Sequence, residues 1–201
     1  MAEITAKMVK QLRDKTGAGI MDCKRALAKA GGDIDQAELN LRKRGIDVAR
    51  KKAGRKAQEG LIGAYVHPGS KLGVIVEVNC ESDFVARTDD FQQLVHDIAM
   101  HVAATDPRFI RKEDVDNEVL EKEREVQRAR ALDAGKPEKI VDKIVEGRMK
   151  KFYEEVCLLE QPFVKDNAST VGELITQMVS KLGENILVSR MARFKVGEAD
   201  A

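Results

Sequence analysis

Leu72, Val74, Val76 and Val78 alternate with Gly73, Ile75, Glu77 and Asn79, the period-two pattern of a strand with one face in a core. An apolar run from Leu61 to His67 precedes it, and Pro68-Gly69 between the two predicts a β-hairpin with a longer loop. A third strand is predicted over Asn185 to Val196, where Ile186, Val188, Ala192, Phe194 and Val196 fall mostly on one face. Elsewhere the spacing is helical. Ile4, Met8 and Leu12 form one stripe, Ile20, Cys23 and Leu27 a second, and Ile34, Ala37 and Leu41 a third, with stops expected at Gly17, Gly31 and Gly45. Asp33 followed by Gln36 reads as a capping box for the third helix. Thr88 caps a helix with the stripe Phe91, Leu94, Ile98 and Val102, ended by Asp106-Pro107. Two charge-laced helices, about Val115 to Ala134 and Pro137 to Leu159, read as an antiparallel hairpin joined at Gly135. Thr170 with Glu173 opens a last helix, which ends at Gly183.

These elements predict an α+β fold: a three-helix domain over residues 1–45, a basic linker over 46–59 that is compatible with helix, and a core domain over 60–201. The core domain is expected to pack helices and a helical hairpin on a three-stranded antiparallel sheet. Three short helices bury too little surface to stand alone comfortably, so the first domain reads as a docking knob on a larger body.

Charge changes this picture along the chain rather than in total. The net charge of the 201 residues is +1, but residues 1–60 hold 15 Lys and Arg against 8 Asp and Glu, and the remainder 20 against 26. The halves are therefore +7 and −6. The run from Arg42 to Lys56 could meet phosphates, which supports an alternative reading as an RNA- or ribosome-associated protein. It has no interleaved aromatics to stack on bases, so no direct nucleic-acid binding is expected.

Catalytic chemistry has few carriers. Cys23, Cys80 and Cys157 are widely spaced, without a C-x-x-C pair, which suits a reducing compartment and no metal site. His96 and His101 lie on different faces of one helix, and with His67 they read as structural or surface groups. Neither a phosphate-binding glycine loop nor a nucleophile motif occurs, so no nucleotide cofactor and no enzymatic activity are expected. The opening Met1 to Thr5 lacks a signal-peptide pattern, and no apolar run approaches a membrane span, so a cytoplasmic protein without a membrane partner is expected.

One segment stands out. Glu77 to Arg87 carries a core strand directly into Ser82-Asp83-Phe84-Val85, ahead of the helix at Thr88. A strand-to-helix junction can hold an exposed aromatic and a carboxylate as an interface anchor. Alternatively, Phe84 packs inward and Asp83 caps the following helix.

Two stretches carry a resemblance. Leu12-Arg13-Asp14-Lys15-Thr16-Gly17-Ala18-Gly19-Ile20-Met21-Asp22-Cys23-Lys24-Arg25-Ala26-Leu27 and Glu77 to Arg87 resemble the elongation factor Ts family, the guanine-nucleotide exchange factors of elongation factor Tu. The likeness extends through Glu160 to Asp166 and on to the final strand. Many members have Thr-Asp-Phe-Val where this chain has Ser82 to Val85, and Ser keeps the hydroxyl. The resemblance implies a ubiquitin-associated-like (UBA-like) N-terminal domain and tips the Phe84 alternatives toward the exposed anchor. It implies that Asp83 and Phe84, completed by Ser82 and Val85, perturb the partner's Mg²⁺ site, and that Arg13, Ile20 and Met21 dock the N-terminal domain on the partner's G domain. Ile20 stands where members often carry Met. Longer members have a second core subdomain and a coiled-coil insertion; short ones are thought to pair, which implies a homodimer here.

Overall fold

The computed structural model describes residues 4–198. Its helices are α1 (Ala6–Thr16), α2 (Ile20–Lys29), α3 (Ile34–Lys52), α4 (Asp83–Ala86), α5 (Asp89–Thr105), α6 (Asn117–Asp133), α7 (Glu138–Val156) and α8 (Val171–Leu182). The strands are β1 (Glu59–Val66), β2 (Leu72–Cys80), β3 (Pro162–Phe163), β4 (Asp166–Thr170) and β5 (Leu187–Lys195). The fold is α+β, with β1, β2 and β5 in one three-stranded antiparallel sheet that has β2 at its centre. None of the described helices is long and apolar enough to cross a membrane.

The chain divides into two compact units. The first comprises Met1–Leu61, Val78–Gln93 and Leu174–Leu187, and the second Ile62–Glu77, Leu94–Glu173 and Val188–Ala201.

In the first unit, α1 to α3 close over Val9, Leu12, Cys23, Ala26, Leu27 and Ala37, with Ile4, Met8, Ile34 and Leu41 at the margin. Local signals start α1 and α3 and stop α1. Thr5 accepts from the Met8 N–H, Asp33 accepts from the Gln36 N–H (2.9 Å), and Gly17 ends α1 at φ 65° with its N–H on the Arg13 carbonyl. Two expectations fail. Ile20 does not join the core stripe, since as the first residue of α2 it turns outward, and Cys23, Ala26 and Leu27 fill the interior. Nor does α3 stop at Gly45; it continues to Lys52, through the stretch expected to be a linker. Gly45 is instead a buried position inside the helix, where a Cβ would make ordinary contact with Ser180 of α8 at 3.5 Å.

The second unit holds most of the sheet and the helical hairpin. Val74 and Val76 of β2 and Val95, Ile98, Ala99 and Val102 of α5 are buried. A Cβ on Gly63 would collide with Val95, so this glycine sets how closely β1 lies on α5. His101 is buried; its Nδ1 accepts from the Val164 N–H (3.2 Å), which leaves Nε2 to donate to Gln161 Oε1 (3.0 Å). Burial lowers its pKa, and the neutral ring ties α5 to the segment after α7. The Thr170–Glu173 box is reciprocal, with bonds of 3.2 and 3.1 Å at the start of α8. Helices α6 and α7 turn at Gly135, whose φ is 69°. The β3–β4 hairpin was not anticipated, because its paired segment of Pro162 and Phe163 is too short to show a period. On the solvent side of the sheet Ile62, Val66, Ile75 and Phe194 are exposed, beside an ion pair of Glu77 with Arg190 (2.6 Å).

Candidate functional site

Strand β2 ends in the buried Cys80, and within four residues the chain has begun a new helix. Ser82 is extended (φ −134°, ψ 154°) and caps the single turn α4, accepting from the Val85 N–H at 3.4 Å. Thr88 then caps α5: its Oγ1 accepts from the Phe91 N–H (3.3 Å) and donates to the Val85 carbonyl (2.8 Å). Ala86 is buried beneath α4. Because side chains two apart on a helix point to nearly opposite sides, burying Ala86 turns Phe84 outward. Phe84 is 79% exposed, so the inward packing is excluded.

The cap assigned to Asp83 belongs to its neighbours, Ser82 for α4 and Thr88 for α5. Asp83 instead faces Arg87 at 2.7 Å along α4, with both side chains well exposed. Such a pair contributes under about 1 kcal/mol, and its carboxylate stays open to a partner.

A clasp of side chains from the turn after α8 fixes the tip. Glu184 Oε2 accepts from the Glu81 N–H (3.1 Å) and the Ser82 N–H (3.0 Å), and its Oε1 accepts from the Ser82 hydroxyl at 2.6 Å. In return Glu81 Oε1 accepts from the Asn185 N–H (2.7 Å), while its other oxygen meets Arg55 at 3.3 Å. The Asn185 donor, followed by Arg55, holds the Glu81 carboxyl below its usual pKa. Asn185 Nδ2 also donates to the Arg55 carbonyl (2.9 Å). The Cys80 thiol donates to the Ser82 carbonyl (3.1 Å), and burial raises its pKa, which makes it unreactive. Glu184 carries no signal in the sequence, since a charged residue after a helix-ending glycine is ordinary, and Arg55 and Asn185 enter the sequence reading only within the basic run and as the start of the last strand.

The second group of expected site residues lies at the α1–α2 corner. Arg13 is exposed near the end of α1, and Ile20 and Met21 open α2 with 53% and 63% of their surfaces exposed. The small core leaves both of these apolar side chains uncovered. Asp22 beside them pairs with both Arg25 and Arg44, the former first in holding its pKa down, and so fastens α2 to α3. The structure therefore gathers Ser82 to Val85 on one tip and Arg13, Ile20 and Met21 on one corner of the same compact unit. Helix α3 links them, because Lys52 donates to the Gly183 carbonyl, one residue before the clasp. Among the described residues no group of three or more His, Cys, Asp or Glu could hold a metal ion.

The sequence has counterparts among known proteins. The family model described as elongation factor TS matches residues 44–198. A protein named elongation factor Ts from Solibacter usitatus is 67% identical over 199 residues, covering 99% of this chain and 94% of its own length. Those from Koribacter versatilis and Moorella thermoacetica are 60% and 56% identical, each over 97% of this chain and over 89% and 96% of their own lengths. The chain belongs to the elongation factor Ts family.

Proposed function

We propose that this chain is a guanine-nucleotide exchange factor of translation elongation, which binds elongation factor Tu in its GDP state and promotes GDP release. Phe84 carries the reading: a large aromatic, 79% exposed, sits on a turn whose backbone is bonded from three sides. An exposed aromatic on a rigid base enters a partner's surface at little entropic cost. Asp83 brings a carboxylate with it, and a negative charge near a Mg²⁺ site competes with the nucleotide phosphates for the cation. Mg²⁺ supplies much of the counter-charge that holds GDP, so shifting its surroundings loosens the nucleotide. Arg13, Ile20 and Met21 supply the docking energy from the N-terminal module, UBA-like in the family, that the displacement consumes. No bond is made or broken, so the protein acts as a binding partner and not as an enzyme, and it needs no cofactor. A thousandfold acceleration requires about 4 kcal/mol of binding that favours the loosened state. By linkage, GDP weakens the factor's binding by the same ratio.

The basic run supports a structural role better than RNA contact. Arg44 pairs with Asp22, Lys52 with Gly183 and Arg55 with Glu81, all inside the first unit. The buried free thiols of Cys23, Cys80 and Cys157 suit a reducing cytoplasm.

Stopped-flow release of a fluorescent GDP analogue from elongation factor Tu, with and without this protein over a range of Mg²⁺, tests the proposal. Acceleration that shrinks as Mg²⁺ rises is expected; no acceleration at any Mg²⁺ sinks it.

We also propose that the chain pairs with a second copy. Support comes from the outer sheet face, where Ile62, Val66, Ile75 and Phe194 form an exposed apolar surface suited to sheet-on-sheet packing about a two-fold axis. Light scattering is expected to give twice the chain mass, and Ile75→Glu to give the monomer. A monomeric wild type at working concentration refutes the pairing.

A further inference from the structure

We propose that Glu184 is a positioning residue for exchange: it sets the direction in which Phe84 leaves the surface, an inference that rests on the exchange reading above. Helix α4 is one turn of four residues, far too short to persist by its own hydrogen bonds. Its shape is therefore set by what holds its first residues, and that is one carboxylate. Glu184 takes the two successive N–H groups of Glu81 and Ser82, which would otherwise be unpaired donors between β2 and α4. It also takes the Ser82 hydroxyl proton at 2.6 Å. A hydroxyl has one proton and can rotate; with the proton fixed on Glu184, its lone pairs are left to face the Val85 N–H. Glu184 thus acts on Phe84 through Ser82, both by locking the backbone that leads into α4 and by orienting the cap that closes it.

The carboxylate is itself held in place. It follows Gly183, which ends α8 at φ 75° and whose carbonyl receives Lys52, and it precedes Asn185, whose N–H is bound by Glu81. Each side of the clasp, Glu81 and the Glu184–Asn185 pair, thus bonds the backbone of the other. The arrangement also explains why Ser serves at position 82: the hydroxyl is the group used, as donor and acceptor at once.

Glu184→Gln tests this with little change of shape. The amide oxygen can keep the Glu81 and Ser82 N–H groups, but its NH₂ then donates to Ser82 Oγ, so the hydroxyl proton loses its acceptor, the cap is reoriented and the carboxylate charge is gone. GDP-analogue release from elongation factor Tu is measured for wild type, Glu184→Gln, Glu184→Asp, Phe84→Ala and the Glu184→Gln/Phe84→Ala double variant, with thermal melts alongside. Glu184→Gln is expected to lower the rate at saturating factor by about tenfold, while the half-saturating concentration stays within about twofold, because the Arg13, Ile20 and Met21 corner is untouched. Glu184→Asp, which keeps the charge, is expected to retain more of the rate than Glu184→Gln. In the Phe84→Ala background Glu184→Gln is expected to add little, since the side chain it directs is gone.

A saturating rate for Glu184→Gln within twofold of wild type, with Phe84→Ala impaired, overturns the assignment of Glu184 and leaves the exchange reading standing. Full additivity in the double variant overturns it as well. A Phe84→Ala protein as active as wild type removes the exchange reading itself, and this inference with it. Should Glu184→Gln not fold, Ser82→Ala decides: it removes only the hydroxyl relay, a lowered saturating rate supports the proposal, and an unchanged one refutes it.

Discussion

Phe84→Ala is expected to slow GDP release from elongation factor Tu at saturating factor by about thirtyfold or more, while the thermal midpoint of the isolated chain moves by no more than about 2 °C. The two halves of this expectation come from the same observation. A side chain 79% exposed contributes almost nothing to its own core, so truncation opens no cavity. The same exposure leaves an aromatic available to be buried by a partner, and interface anchors of this kind are worth about 2 kcal/mol or more, which is about thirtyfold in rate if they act in the loosened state. The turn beneath is untouched, because its bonds run through Ser82, Val85 and Thr88 and not through the Phe84 ring. A stopped-flow titration to saturation separates the effects: an unchanged plateau rate with weaker binding would make Phe84 a docking residue only, and an unchanged titration would deny it any role. A lowered melting point would instead return Phe84 to the core.

Much of this site was legible before the fold was known, because caps and strands are written locally. Thr88 and the Thr170–Glu173 pair are read from a few adjacent residues and are found bonded as expected, whereas Asp33 caps α3 without the reciprocal half of its box, the Gln36 amide donating to Asn40. Some of what failed had causes distant in sequence. Gly45 looked like a helix stop, but α3 runs past it to Lys52, and its neighbour across the packing is Ser180, 135 positions later by number. Ile20 fitted the helical stripe, yet a residue at the first position of α2 lies at the rim of a core too small to reach it. Asp83 was a reasonable cap by type, but Ser82 precedes it in the extended conformation that capping needs, and so takes the role. Glu184 was invisible for the same reason as Gly45: its partners are about a hundred residues upstream.

Substituting Gly60 should damage the protein more than any change at the tip itself. Gly60 lies in β1 at φ 142°, a conformation that side-chain-bearing residues rarely adopt. A Cβ there would overlap the Val78 carbonyl oxygen and stand 2.7 Å from Asn79 Cα. Both obstacles are backbone, in the central strand of the sheet, so neither can rotate away as a side chain would. Gly60→Ala is therefore expected to cost about 3 kcal/mol or more, and to lower the thermal midpoint by roughly 6–12 °C for a chain of this size. Gly73→Ala is the control, because a Cβ at Gly73 meets nothing within 4 Å. It is expected to be neutral or slightly stabilising, through the smaller entropy of the unfolded chain. Equal melting points for the two variants would show that β1 shifts freely against β2. The expected difference has a functional consequence as well. Val78 and Asn79 lead directly into Cys80, Glu81 and Ser82, so forcing β1 away from them displaces the residues that Glu184 holds. Gly60→Ala should lose stability and exchange together, whereas Phe84→Ala loses exchange alone.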